Sequence, residues 1–407
     1  MATSDAERIG ANLRRLRKGQ GMSLDVLAGR SGLSKSFLSR VERGERHLDR
    51  RSHLDALAGA LSVSLSDIIG QPFPSHGRTQ DLAHAAVPAL RRVLHAASIG
   101  YVFPDVQPLP IGELTESART LWDARRRCDY VTVARMLPRL LEGLHVHVAR
   151  GEDTAAALRL LVEVSSAAAF SLRALGYADL AWTAAEHCHN AAVTLGDPFA
   201  VGFADFTRAQ ASALGPGFEG ALRLAENAAD ELRPHLSGDA EDERVYGTLL
   251  LTAAWAAAAT RNYDQVATYV AEAGEMGERT GDADPTGDRW QTYFGPSNTG
   301  IWQMSIAVET GEGGKVTELA EGVDLSVIDS KSRRAAYWTE LGRGLAQENG
   351  RENEAADALL RADHVAPQRT RGNPMVRATV DTMLDRVTQR AAGRKLSTLA
   401  SRMDSPK

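Results

Sequence analysis

The segment Gly32-Leu33-Ser34-Lys35-Ser36-Phe37-Leu38-Ser39-Arg40-Val41-Glu42-Arg43-Gly44 encodes a tight corner followed by a short helix. Gly32 takes the positive φ that such a corner demands and that a Cβ resists. Ser34 is an N-cap, its hydroxyl placed to accept from the first free amides of the helix. Along that helix Leu38 and Val41 fall on an inner face, while Lys35, Ser36, Phe37 and Arg40 fall on the outer one. The major groove of DNA admits one α-helix, whose first turns must carry side chains that reach base edges, and Arg or Lys suits the guanine acceptors. Ser34, Lys35, Ser36, Phe37 and Arg40 are therefore candidate DNA contacts; the alternative for this outer face is an ordinary solvated surface on a helix that docks to protein.

Upstream, Ile9, Leu13 and Leu16 recur at helical spacing among arginines, and Gly19 and Gly21 end that first helix. Ser23 is placed to cap a second helix whose inner face is Leu24, Leu27 and Ala28. Downstream, Arg43, Arg46, His47, Arg50 and Arg51 form a cationic loop suited to lie along a phosphate backbone. Leu54, Leu57, Ala58, Leu61, Leu65, Ile68 and Ile69 then supply two further helices, the last capped by Ser64. Residues 1–72 thus read as a closed bundle of five helices.

This head resembles the Cro/C1-type (XRE) helix-turn-helix family, through Leu27-Ala28, Gly32-Leu33-Ser34, Leu38-Ser39-Arg40-Val41-Glu42-Arg43-Gly44 and the closing Leu-rich helices. The resemblance covers about the first seventy residues and implies a lambda-repressor-like DNA-binding fold. It implies that Lys35, Ser36 and Arg40 face bases, that Ser23 and Arg43 meet phosphate, and that Arg17 pairs with Glu42 to brace the first helix against the third. The alternative for Arg17 and Glu42 is two unrelated solvated charges. Ser31 departs from the family, which buries an apolar or small residue there.

Charge divides along the chain. The whole carries a formal net charge of -5, but residues 1–78 hold 13 Lys and Arg against 8 Asp and Glu, leaving 34 against 44 for the rest. A basic head on an acidic body fits a nucleic-acid contact confined to the N-terminal region. Cys128 and Cys188 lie far apart without zinc-ligand or paired spacing and read as buried free thiols. The chain opens on a polar, charged run, and no stretch approaches the roughly 20 uninterrupted apolar residues of a span, so a cytoplasmic protein with no membrane partner is expected.

The Pro-rich, polar stretch at 73–81 reads as a linker. From 82 to 395 apolar residues recur at three- and four-residue spacing without strand alternation, so the body is expected to be all α. Residues 396–407 read as a C-terminal tail. Corners recur at Leu175-Gly176-Tyr177, Gly217-Phe218, Asn262-Tyr263, Gly313-Gly314 and Gly350-Arg351, about 35 to 50 residues apart, the period of helix-pair solenoids. The repeats resemble tetratricopeptide repeats, in degenerate form. Such arrays offer an extended concave surface.

One segment interrupts the pattern: Asp284-Pro285-Thr286-Gly287-Asp288-Arg289-Trp290-Gln291-Thr292-Tyr293-Phe294-Gly295-Pro296-Ser297-Asn298. Trp290, Tyr293, Phe294, Asn298 and nearby Trp302 are candidate ligand contacts, because aromatic side chains join apolar area to a hydrogen-bonding handle. The alternative is a plug that packs Trp290 and Phe294 between repeats. Arg334, Tyr337 and Trp338, beside Arg333, are candidate contacts for a carboxylate on a concave face, or else a solvated face with a packed aromatic. His187-Cys188-His189 points its side chains in different directions along a helix, so no metal site is expected. No phosphate loop, nucleophile elbow or paired nucleophile and base occurs, so neither an enzyme nor a cofactor is expected.

These features lead to an expected transcription regulator that binds double-stranded DNA at a pseudo-palindromic operator as a homodimer, with a body responding to a peptide or small-molecule effector. The architecture resembles peptide-responsive quorum-sensing regulators that join this head to tetratricopeptide repeats. The other reading is a scaffold whose repeats dock a partner protein while the head tethers it to DNA.

Overall fold

A computed structural model describes residues 5–70, 78–101, 106–213, 217–283, 288–387 and 390–404. Among them there are helices, turns and loops and no strand.

The head contains α1 (Asp5–Gly19), α2 (Leu24–Ser31), α3 (Lys35–Glu42), α4 (Arg51–Leu61) and α5 (Leu65–Ile69). Three of its helix starts are fixed by serines: Ser23 accepts from the Val26 amide, Ser34 from that of Phe37, and Ser64 from that of Asp67, whose carboxylate in turn accepts from the Ser64 amide. These caps satisfy amides that the first turn leaves unpaired. Gly32 ends α2 at φ 67° and makes the corner. Leu13, Leu27, Leu38, Leu57, Leu61 and Ile68 are fully buried at the centre. α1 crosses α3 so closely at Gly10 that a Cβ there would lie 2.2 Å from the Val41 carbonyl oxygen. Ser31 is buried, and its hydroxyl donates to the Leu27 carbonyl at 2.7 Å, which lets a polar residue occupy a site that favours small or apolar ones.

The body begins with α6 (Arg78–Ser98), so residues 78–81 are its first turn and not linker; the remainder of the expected linker, 73–77, lies outside the described residues. Then follow α7 (Ile111–Arg126), α8 (Tyr130–Arg150), α9 (Thr154–Ala174), α10 (Ala178–Leu195), α11 (Pro198–Ser212) and α12 (Phe218–Leu232). Beyond these come α13 (Ala240–Ala259), α14 (Tyr263–Thr280), α15 (Pro296–Thr310), α16 (Val316–Glu321) and α17 (Lys331–Leu345). The chain closes with α18 (Glu352–Val365), α19 (Pro367–Arg371), α20 (Pro374–Leu384) and α21 (Arg390–Asp404).

From α7 to α18 most consecutive helices pack as neighbours, and α7, α9, α11, α13, α15 and α17 also pack on one another in series. That double adjacency is a stack of helix pairs with an inner and an outer layer, a tetratricopeptide-like α-solenoid. Small side chains permit the close stacking: Val245 to Ala259 of α13 is buried without interruption, and six of its fifteen residues are alanine. α9 is the one described helix long and apolar enough to cross a membrane, and it is largely buried here among its neighbours. Cys128 and Cys188 are both buried and unpaired.

The expected tail is corrected by α21. Leu396, Leu399 and Met403 recur at helical spacing and are buried against α18 and α20. Each such burial stabilises by roughly 1.5–3 kcal/mol, enough to hold the segment down despite its Ser, Arg and Lys content.

Candidate nucleic-acid interface and inner cavity

On α3 the inner and outer faces separate cleanly. Leu38 and Val41 are buried, whereas Ser34, Lys35, Ser36 and Arg40 are exposed. Lys35 Nζ lies 2.8 Å from Asp25, an exposed pair that water and salt weaken. Arg43 is exposed and forks onto Glu45 with two bonds of 2.6 Å, while donating to Ser39 Oγ. Beneath, Arg17 grips Glu42 with bonds of 2.5 and 2.8 Å and donates to the Met22 carbonyl at 2.6 Å, locking α1, α3 and the α1–α2 corner together. The bracing pair expected from the resemblance is present, and it is buried. Ser23 serves as the N-cap of α2.

The other expected contacts are less free. Phe37 is half-buried, edge-on to His53 at 5.2 Å, with the Arg46 guanidinium 6.0 Å from its ring centre. Arg50 is half-buried, its guanidinium facing Gly311. Arg51 does not lie along an open edge: its amide donates to Glu309 Oε2 at 2.8 Å and its guanidinium to Oε1 at 2.7 Å. Arg343 donates to the same Glu309 oxygen at 2.9 Å, to Glu340 at 2.7 Å and to the Asp49 carbonyl at 3.1 Å. Two arginines and two glutamates thus form a buried cluster that clamps the N-terminus of α4 to α15 and α17. Burial alone raises the Glu309 pKa, but Arg51 and Arg343 outweigh it and hold the carboxyl below the usual range.

Two further contacts seat the head. Asp55 accepts from the Phe218 amide at 3.0 Å, filling the first turn of α12. Arg377 reaches Asp5 at 2.7 Å. The cores are continuous as well, because Leu54, Leu57 and Leu65 share a hydrophobic cluster with Phe218, Trp255, Ile306 and Met375.

The head roofs a cavity of about 280 Å³ on the inner layer of the solenoid. Its walls include Trp122 and Arg125 of α7, Phe170 and Arg173 of α9, Phe203 and Gln210 of α11, Trp255 of α13, Trp302 of α15, Arg333 and Glu340 of α17, and Arg369 of α19. The head contributes Arg51, Leu54, Leu65 and Ile69. The aromatic loop contributes Trp290, Gln291, Thr292 and Tyr293; its residues 284–287 lie outside the described ones.

The sequence-expected ligand residues therefore divide. Trp290, Tyr293 and Trp302 line the cavity, although Trp290 is mostly buried and stacks on Phe203 at 5.0 Å. Phe294 does not line it: the ring is fully buried and packs onto Gly247, so it acts as the plug. Asn298 is a buried strut, donating to the Thr292 carbonyl and accepting from Arg333 Nε at 2.7 Å. Arg334 donates to the Ile328 and Leu325 carbonyls, and Tyr337 packs edge-on to Trp338 in a separate core; none of the three faces the cavity. Arg125, Arg173 and Arg369 were missed. Each is one arginine on one amphipathic helix, and only the stacking of repeats brings them together.

Residues 8–68 match a protein family described as "Helix-turn-helix domain". The head is a helix-turn-helix domain. Over 63 residues it is 35% identical to an immunity repressor protein of Bacillus phage phi105, an alignment that covers 16% of this chain and 43% of the phage protein. Less than half of that relative's length is therefore matched. Two solved structures are loosely similar. The apo form of the competence regulator ComR from Streptococcus vestibularis is 12% identical, with 99% of this chain and all of that one covered, at a TM-score of 0.32. PlcR of Bacillus thuringiensis, in complex with the peptide PapR7 and DNA, is 14% identical, with 67% of this chain and 95% of that one covered, at a TM-score of 0.26. Neither superposition is close enough to bear on the fold or function of this chain. In the helix-turn-helix head the second helix of the motif is α3, the one with the exposed polar edge.

Proposed function

We propose that the protein is a sequence-specific DNA-binding transcription regulator whose helical body receives a signal and governs the helix-turn-helix head. The observation that carries this reading is α3, whose apolar side closes the bundle while Ser34, Lys35, Ser36 and Arg40 stand exposed. Lys35, Ser36 and Arg40 read bases; Ser23 and Arg43, with the loop cations Arg46, Arg50 and Arg51, meet phosphate once free. One small head buries too little surface for strong specific affinity, so two heads of a homodimer on a pseudo-palindromic operator complete the contact. Docking on the body withholds part of the basic loop, since Arg51 is held by Glu309. A signal acts by favouring the docked or the released head unequally.

In vitro selection of duplexes by the full chain tests the reading and supplies the operator. With that operator at fixed salt, Arg40→Ala costs about 1–3 kcal/mol and relaxes preference at one base pair per half-site, whereas Arg43→Ala weakens all sequences alike and flattens the salt dependence. Selection that enriches no sequence, or two substitutions without effect on affinity, overturns it.

A further inference from the structure

We propose that the cavity between head and solenoid is the binding site of a compact organic polyanion, a flat apolar frame bearing two or more carboxylate or phosphate groups. This deepens the proposed function by naming the chemical class of the signal, and it rests on that reading only for the consequence, not for the binding.

Charge imbalance is the first support. Arg51, Arg125, Arg173, Arg333 and Arg369 line the cavity against a single lining carboxylate, Glu340. Arg51 is neutralised by Glu309, and Glu340 is taken up by Arg343 at 2.7 Å. Among the described residues no carboxylate lies within ion-pair distance of the other four arginines. Enclosing cations without counter-charges is costly, and a protein that does so gains most when an anion arrives.

Unused hydrogen-bonding groups are the second support. Arg173 Nε, Gln210 Nε2 and Ser171 Oγ are buried, belong to the cavity lining and have no hydrogen-bond partner in the protein. Two of these are nitrogen donors and the third is a hydroxyl able to donate. Gln210 and Ser171 are each at most 5% exposed.

Geometry of the arginines is the third. Arg125 lies between the faces of Trp122 and Phe170, at 4.7 and 4.6 Å, and Arg333 lies 5.4 Å from the Trp302 ring centre. A guanidinium that uses its face on a ring keeps its edge donors for a planar, bidentate acceptor such as a carboxylate or phosphate, and of those of Arg333 it is Nε that Asn298 already takes. The rings between the arginines provide apolar area for the frame of the ligand. A volume of about 280 Å³ is enough for a small molecule with two or more charged groups. Burial, with neighbouring arginines adding to it, lowers the Arg173 and Arg333 pKa values to about 9, in keeping with sites that await negative charge.

The test is calorimetric titration of the full chain, without DNA, by trimesate, a benzene ring carrying three carboxylates. Its uncharged triamide, sulfate and an end-blocked neutral tripeptide are compared. Trimesate is expected to bind and raise the melting midpoint, sulfate to bind more weakly, and the triamide and tripeptide not to bind. Arg173→Met and Arg333→Met each weaken trimesate by roughly tenfold or more. Ligand-free Arg173→Met melts no lower than the parent, because a buried cation without a partner has been removed. Should Arg333→Met fail to fold, Arg333→Lys keeps the charge, loses the fork, and is expected to bind several-fold more weakly. The proposal is overturned if neither trimesate nor sulfate binds, if the triamide or tripeptide binds as well as trimesate, if the variants bind like the parent, or if ligand-free Arg173→Met melts lower. A null titration leaves the operator reading standing, and a failed operator selection leaves the cavity assignment standing.

Discussion

At the residue scale the head depends on one missing side chain. Gly10 sits where a Cβ would approach the Val41 carbonyl to 2.2 Å, and backbone cannot yield as a flexible side chain does. Gly10→Val should separate α1 from α3, costing about 1–3 kcal/mol by overpacking, and should also disturb the Arg17–Glu42 fork. Gly29→Ala on α2, where nothing lies within 4 Å, should be neutral or stabilise by about 0.4–1 kcal/mol. Urea denaturation of the two variants checks the contrast, and equal midpoints would refute the close crossing. Gly10 was invisible in the sequence, since a glycine within a helical pattern signals weakness unless the partner helix is known. Gly32, Ser34 and Ser64 were readable because caps and corners act on residues one to four positions away. Ser31 was readable as a departure, but its bond to the Leu27 carbonyl needed coordinates.

At the scale of elements, what holds α4 to α15 and α17 is a cluster of four charges in which Arg51 and Glu309 bond across 258 residues of sequence, which no local pattern announces. The cavity arginines were unreadable for the same reason, whereas α21 could have been found from Leu396, Leu399 and Met403. Glu309→Gln leaves Arg51 and Arg343 short of a counter-charge and should destabilise by about 3 kcal/mol, the lower end of what breaking a buried pair costs, because the amide oxygen still accepts. Hydrogen exchange should show lost protection at the start of α4, with α9 and α13 unchanged. The pH dependence has a fixed sign. Glu309 has a folded pKa below its unfolded one, so its stabilisation is fully present above the unfolded value, roughly 4.3, and is lost as pH falls through the lower folded value. Acid titration should therefore release the head below about pH 4 in the parent, and Glu309→Gln should lack that step. A variant that unfolds with the parent's acid profile would show that the clamp contributes nothing.

At the scale of the whole molecule, cavity and DNA edge share the head. Arg51, Leu54, Leu65 and Ile69 form part of the cavity wall only while the head is docked, and Arg51 is also one of the cations proposed to meet phosphate. A head that leaves the solenoid for the operator strips the cavity of that wall, so the polyanion and DNA favour different arrangements of one chain. Linkage then fixes the outcome: each must weaken the other's binding by the same factor, commonly about 5–150-fold for coupled sites. Titrating trimesate with and without a saturating operator duplex, and the duplex with and without saturating trimesate, gives the two ratios independently. They should be equal and above one. Glu309→Gln, which shifts the chain towards the released head, should tighten DNA binding and weaken trimesate together. Trimesate that tightens operator binding would show that the docked arrangement is the DNA-competent one. Ratios of one would show that the head reads DNA without leaving the solenoid.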